Sequence, residues 1–171
     1  RNAQDAISML QTMEGAMAVI DSALIRMKEL AEQAATGSYS EQQRQIMDNE
    51  FKQMIAEIDR IATTTQFNSI NMLDNTSAVT IHFGPDSEIE VTSVDVQSTA
   101  LGIDSGTASI ATTATAQTAL GLLNTAIERK DSARASLGYM MNRLESTNEV
   151  LNIQAENMMA SESRISDVDV A

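Results

Sequence analysis

Over the last third of the chain Leu123, Leu137, Leu144, Leu151, Met158 and Ile165 fall on one seven-residue repeat, and Leu120, Ile127, Met141 and Ala155 on a second repeat three residues ahead of it. That is the a/d seam of a coiled coil, and it predicts a single helix over about 113–165. At about 1.5 Å per residue the helix is a rod of roughly 75 Å, too long to be stable unless other helices lie against it. The seam is interrupted at Lys130 and Arg134, and again at Asn148 and Glu162. Truncating Leu144 to Ala on its unbroken part is expected to cost about 2–5 kcal/mol. Lys130→Ala, where the seam is already polar, is expected to cost under about 1 kcal/mol.

A partner helix is written at the other end. Ala6, Leu10, Met13, Met17, Ile20, Leu24, Met27, Ala31 and Ala34 alternate spacings of four and three without a polar interruption, which predicts a helix over about 3–36. Asn2 and Asp5 are placed to cap its start, and Gly37 to close its end in a left-handed conformation. Ser40 and Gln43 have the spacing of a capping box, and Met47, Phe51, Met54, Ile58 and Ile61 mark the apolar face of a helix over about 41–65. A connection this short makes the two helices antiparallel neighbours.

The helical period then stops. Residues 66–75 are rich in Asn and read as an ordered loop anchored by Phe67, Ile70 and Leu73. From Val79 the period is two: Val79, Ile81 and Phe83 alternate with Thr80 and His82, and Ile89 and Val91 follow beyond the one proline, Pro85. This predicts a β-hairpin over about 78–95. Residues 98–112 are small and Thr-rich, a linker touching down at Leu101 and Ile103. The fold class is therefore mainly α: an elongated, antiparallel, coiled-coil-like bundle of three long helices with one hairpin. Residues 1–171 form a single rod-like domain, with helices in 1–65, loop and hairpin in 66–97, linker in 98–112 and the long helix in 113–166. Two unlike seams that satisfy each other within one chain make it a monomer in dilute solution.

Composition narrows what such a rod can do. Aromatic residues are 3% and Met is counted 11 times, as suits slender helix seams better than a thick globular core. A net charge of −13 without a basic stripe argues against nucleic acid and anionic membrane as partners, and no apolar run approaches a membrane span. There is no cysteine, hence no disulfide framework or thiol nucleophile. The chain begins at Arg1 without an initiator Met or signal-like segment, as expected of a fragment.

Chemistry-bearing motifs are sparse. His82, the sole histidine, sits at an alternating strand position and reads as a surface or structural residue. Asp167 and Asp169 lack the ligand count of a calcium loop and read as a solvated acidic tail. Asn75, Thr76 and Ser77 match a glycosylation sequon by pattern only. No catalytic, metal or cofactor site is expected. One feature stands apart: Arg26, Leu30 and Gln33 form an off-seam stripe on the first helix beside Glu29, opposite the charged face of the second helix around Glu50. Leu30 is expected to face outward there, as the apolar anchor of a docking surface.

The two chain ends together resemble bacterial flagellin. "RNAQDAIS" and "QTMEGAM" at the start, "RMKELAEQA" in the first helix, "EIDRIATTTQFNSINML" leaving the second, and "LGYMMNRLESTNEVLNIQAEN" with "ESRISDVDVA" at the finish stand in the family's order. The resemblance implies a structural, non-enzymatic subunit of the flagellar filament, secreted and extracellular, serving motility. It implies other flagellin subunits as partners and, for the whole protein, an export chaperone and the cap protein. A host Toll-like receptor reads flagellin on this core, and by motif position its patch falls on Arg26, Leu30, Gln33 and Glu50; Met54 stands where stimulatory flagellins often have Arg. Two departures matter: the family's terminal inner-tube segments lie outside residues 1–171, so the fragment is not expected to build filaments alone, and the variable outer domain is missing. A hook-filament junction protein is the alternative within the same class. From another class stands a secreted helical hydrolase using carboxylates and His82.

Overall fold

The computed structural model describes residues 2–84 and 87–168. In chain order they form α1 (Asn2–Ala35), α2 (Glu41–Thr64), the short strands β1 (Gln66–Phe67) and β2 (Ile70–Asn71), the longer β3 (Ala78–Gly84) and β4 (Ser87–Thr92), a one-turn α3 (Ser98–Leu101) and α4 (Thr113–Val168). The protein is mainly helical, and its axis is α4, about 84 Å of continuous helix.

All nine residues of the α1 repeat are buried, from Ala6 to Ala34. A further column is buried beside them: Met9, Ala23 and Leu30, with Ala16 half-buried, again seven apart. The reason is position. α1 packs against α4 along one side and against α2 and β3 on the other, whereas α2 and α4 scarcely meet. A helix flanked twice needs a wider apolar face than a two-helix seam, so Leu30 is 1% exposed and does not face outward. Asp21 pairs with Lys130 and Glu14 with Arg134, so position falls along α1 as it rises along α4 and the helices run antiparallel.

The α1 termini differ from expectation. Asn2 donates to the backbone carbonyl of His82 at 2.7 Å, tying the helix to β3 instead of capping it. Gly37 is not left-handed; Thr36 closes α1 through its N–H and hydroxyl, both donated to the Gln33 carbonyl. The left-handed glycine is Gly102, after α3.

On α4 the buried positions are Ala116, Ala119, Leu123, Ala126, Lys130, Leu137, Met140 and Leu144. The column through Leu123, Leu137 and Leu144 is as the repeat requires. Its companion is Ala119, Ala126 and Met140; Leu120, Ile127 and Met141 are only half-buried and Ala155 is exposed. Small residues let α1 approach closely on that line, and the larger neighbours flank it.

Lys130 is not a tolerated interruption. It is 4% exposed and donates to Asp21 and, at 2.7 Å, to Asp131. Burial alone would lower its pKa, but the hydrogen bonds to Asp131 and Asp21 outweigh that and raise it. Lys130→Ala removes these bonds and strands the partly buried Asp21, for an expected loss of about 1–3 kcal/mol. Denaturant unfolding checks this, with Asp21→Ala and the double variant completing a cycle; strictly additive losses would show the pair to be uncoupled.

α2 opens with the expected capping box: Ser40 Oγ accepts from Gln43 N, and Gln43 Oε1 accepts from Ser40 N. Phe51, Ile55, Ile58, Ile61 and Ala62 are buried, with Met47 and Met54 half-buried. Two of its aspartates hold the connection to α4. Asp59 accepts from the N–H and hydroxyl of Ser98 at 2.7 and 2.8 Å. Asp48, 1% exposed, accepts from Ile110 N, Ser109 Oγ and Lys52 Nζ at 2.7, 2.9 and 2.7 Å. Residues 98–112 are therefore no loose linker, and Leu101, Ile103, Ala108 and Ile110 are buried along them.

Burial would raise the Asp48 pKa, but the bonds from Lys52, Ile110 and Ser109 together hold it below the usual carboxylate range. Its folded value lies below its unfolded one, so its stabilisation is complete above the ordinary carboxylate range and lost as pH falls through the folded value. Asp48→Ala should cost about 1–3 kcal/mol at neutral pH. The gap from the parent, followed by unfolding at successively lower pH, should shrink on the acid side; a gap that widens there would reverse the sign.

The loop after α2 holds a miniature hairpin whose two turn residues, Asn68 and Ser69, have φ of 50° and 65°, the geometry of a tight β-turn. Leu73 anchors it, Phe67 is half-buried and Ile70 is exposed; Met72 takes the place expected for Ile70. β3 and β4 pair antiparallel from Ala78↔Thr92 to Gly84↔Ser87, and Ile89 and Val91 are buried. The turn at Pro85 and Asp86, Asp169, and the side chains of Phe83 and Asp167 lie outside the described residues; the backbone of Asp167 belongs to α4.

Candidate interaction surfaces

The off-seam stripe is a polar surface over a buried leucine. Arg26 Nε donates to Glu50 Oε1 at 2.9 Å, and its NH1 lies 3.3 Å from Glu29 Oε2. The bridge joins α1 to α2, and the Glu50 bond, then the Glu29 bond, raises the arginine pKa. All three side chains are about half exposed and Gln33 is exposed, while Leu30 lies beneath. Arg26, Glu29 and Glu50 are thus brought together as one acidic, hydrogen-bonding patch. The apolar anchor expected among them is absent.

A second surface was legible only as part of the α4 seam. α4 has 56 residues against 34 in α1, a surplus of 22. Lys130 lies opposite Asp21 and Arg134 opposite Glu14, so the antiparallel partner runs out near Leu151, and every residue of 152–165 is exposed. The spacing that buries Met140 and Leu144 continues onto this overhang as Leu151, Gln154, Met158, Ser161 and Ile165. Together with Asn157 and Glu162, the last four make one exposed face of α4. Met158 and Ile165 are 71% and 75% exposed.

His82 is exposed and lies 3.5 Å from Glu88 across the hairpin, as a surface strand histidine does. Among the described residues no helix is long and apolar enough to cross a membrane, and no group of three potential ligands could hold a metal ion.

The described residues form an antiparallel helical rod. Residues 1–78 match the bacterial flagellin N-terminal helical region, and residues 120–171 the bacterial flagellin C-terminal helical region. A flagellin of Halalkalibacterium halodurans is 40% identical across the whole chain, which spans 64% of that relative's length, under two thirds. The crystal structure of Bacillus cereus flagellin superposes with a TM-score of 0.78 at 34% identity, covering 94% of each chain. The chain belongs to the bacterial flagellin family, whose members are structural proteins and not enzymes. A putative flagellar hook-associated protein from Vibrio parahaemolyticus shares the fold, with a TM-score of 0.74 over 97% of this chain and 88% of its own, but only 13% identity. Fold alone therefore does not separate a filament subunit from a hook-associated protein.

Proposed function

We propose that this chain is the core of a subunit of the bacterial flagellar filament, polymerising with its own kind outside the cell to form the propeller for motility. The observation that carries the reading is family membership along the chain, together with an antiparallel helical rod that superposes on Bacillus cereus flagellin over 94% of each chain. The test is genetic. Deleting the gene should remove filaments and swimming, and restoring it should return both. Met158→Asp with Ile165→Asp should leave the bundle folded, because both side chains are exposed, and should prevent filament growth. Filaments of ordinary length from that variant would count against the proposal.

A finer reading is that a host Toll-like receptor engages the patch of Arg26, Glu29, Gln33 and Glu50. Its support is the exposed ionic bridge between α1 and α2, a fixed polar surface of the kind found at interface rims. Arg26→Ala and Glu50→Ala should each weaken receptor binding several-fold with helicity intact, mainly by slowing association. Unchanged binding in both would remove the patch from the site.

A further inference from the structure

α2 and α4 scarcely meet, and each is held mainly by α1 between them. The other element packed on both is α3, a single turn of helix. A turn this short satisfies few of its own end groups, and here its neighbours satisfy them. Gln97, at the N-cap position, makes no side-chain cap; its amide donates instead to the Asp74 carbonyl at 3.0 Å. The cap comes from α2, where Asp59 accepts from both the N–H and the hydroxyl of the buried Ser98. At the other end Arg129 Nη1, from α4, donates to the Ala100 carbonyl at 2.9 Å. Gly102 makes room for it: at a φ of 80°, a Cβ there would stand 3.1 Å from that same nitrogen. An anion from one helix thus holds the start of α3, and a cation from the other holds its end.

We propose that α3 is a latch between α2 and α4, shut by Asp59 and Arg129, and that it opens as one unit while the α1–α4 seam stays closed. The opening segment lies between two anchors. Before it the Val96 N–H donates to the Leu73 carbonyl at 3.0 Å, and after it Asp48 accepts from Ile110 N at 2.7 Å. Leu101 and Ile103 are the large apolar side chains it buries, few beside the whole run that α1 buries, so it belongs to the low-stability end of the molecule. With the latch shut, α1, α2, α3 and α4 close a ring. With it open, α2 keeps its packing on α1 and the Asp48 anchor but can swing against α4. The rod therefore has a stiff state and a compliant one that share the same long seam. None of this rests on the filament-subunit reading.

Hydrogen exchange of the folded chain measures the opening. Each variant should act at the end of α3 that it does not touch: Arg129→Ala should speed exchange at Ser98, and Asp59→Ala at Gly102 and Ile103, by about tenfold or more. Leu24 and Leu123, in the α1–α4 seam, should keep their rates. Arg129 is exposed, so its truncation leaves the rod folded. Gly102→Ala, which crowds Arg129 without removing a charge, should also speed exchange at Ser98. Effects confined to the touched end would mean that the two ends fray separately and would overturn the latch. Distances measure the swing. The chain has no cysteine, so spin labels go only where a cysteine is introduced. Ala56→Cys on α2 with Asn124→Cys on α4, both exposed positions, should give a narrow distance distribution in the parent and a broad one in the Asp59→Ala/Arg129→Ala background. Gln11→Cys with Asn142→Cys, exposed positions on α1 and α4, should stay narrow in both backgrounds. An unchanged α2–α4 distribution would overturn the proposal, and so would equal broadening of both pairs, which would mean that the whole rod had loosened.

Discussion

Leu30→Asp is expected to unfold most of the rod, a loss of more than about 4 kcal/mol in unfolding free energy. The site is 1% exposed, in the column that α1 needs because it is flanked on two sides. A carboxylate there would be stripped of water, and Arg26, one turn earlier on α1, is already engaged by Glu50 and Glu29. Helical circular dichroism with thermal unfolding measures the loss. Arg26→Ala, on the surface above, should keep the full helical signal. If Leu30→Asp folded normally, the burial of that column would be wrong and the outward docking anchor would return.

Leu144→Ala and Ile165→Ala should differ widely although the two residues share one heptad column. Leu144 is fully buried between α4 and its neighbours, so its truncation leaves a cavity and should cost about 2–5 kcal/mol. Ile165 is 75% exposed on the overhang, and its truncation in the free chain should change stability by no more than about 0.5 kcal/mol. Denaturant midpoints of the two purified variants decide it. Equal losses would mean that α4 finds a partner for its last turns within the chain.

This contrast marks what could be read from the sequence. The α1 repeat was legible residue by residue, because its all-apolar run admits one register and every member is buried. The capping box was legible because its two bonds need only local spacing. The Leu30 column was not, since periodicity reports that a residue lies off one seam and is silent on whether another helix covers it. Ala119 and Ala126 lost to Leu120 and Ile127 in the reading because hydrophobic size was weighed above closeness of approach. Lys130 looked like a flaw in the seam because its meaning depends on Asp21, which stands 109 positions away. Of the surface stripe, the grouping of Arg26, Glu29 and Glu50 was legible and the chemistry was not, since a patch expected to be apolar at its centre is ionic throughout.

That separation along the chain also governs how the rod forms. The α1–α4 seam joins Asp21 to Lys130 and Glu14 to Arg134, partners 109 and 120 residues apart, while α1 alone would present its broad apolar face to water. Closure of so long a loop must precede the contacts that reward it, which places this helical protein among slow-folding topologies despite its simple elements. The clasps at Asp59 and Asp48 bridge 39 and 62 residues, intermediate spans that can bring the chain back toward α1 in stages. The rod can close only when the last third of the chain is present to lie back along the first.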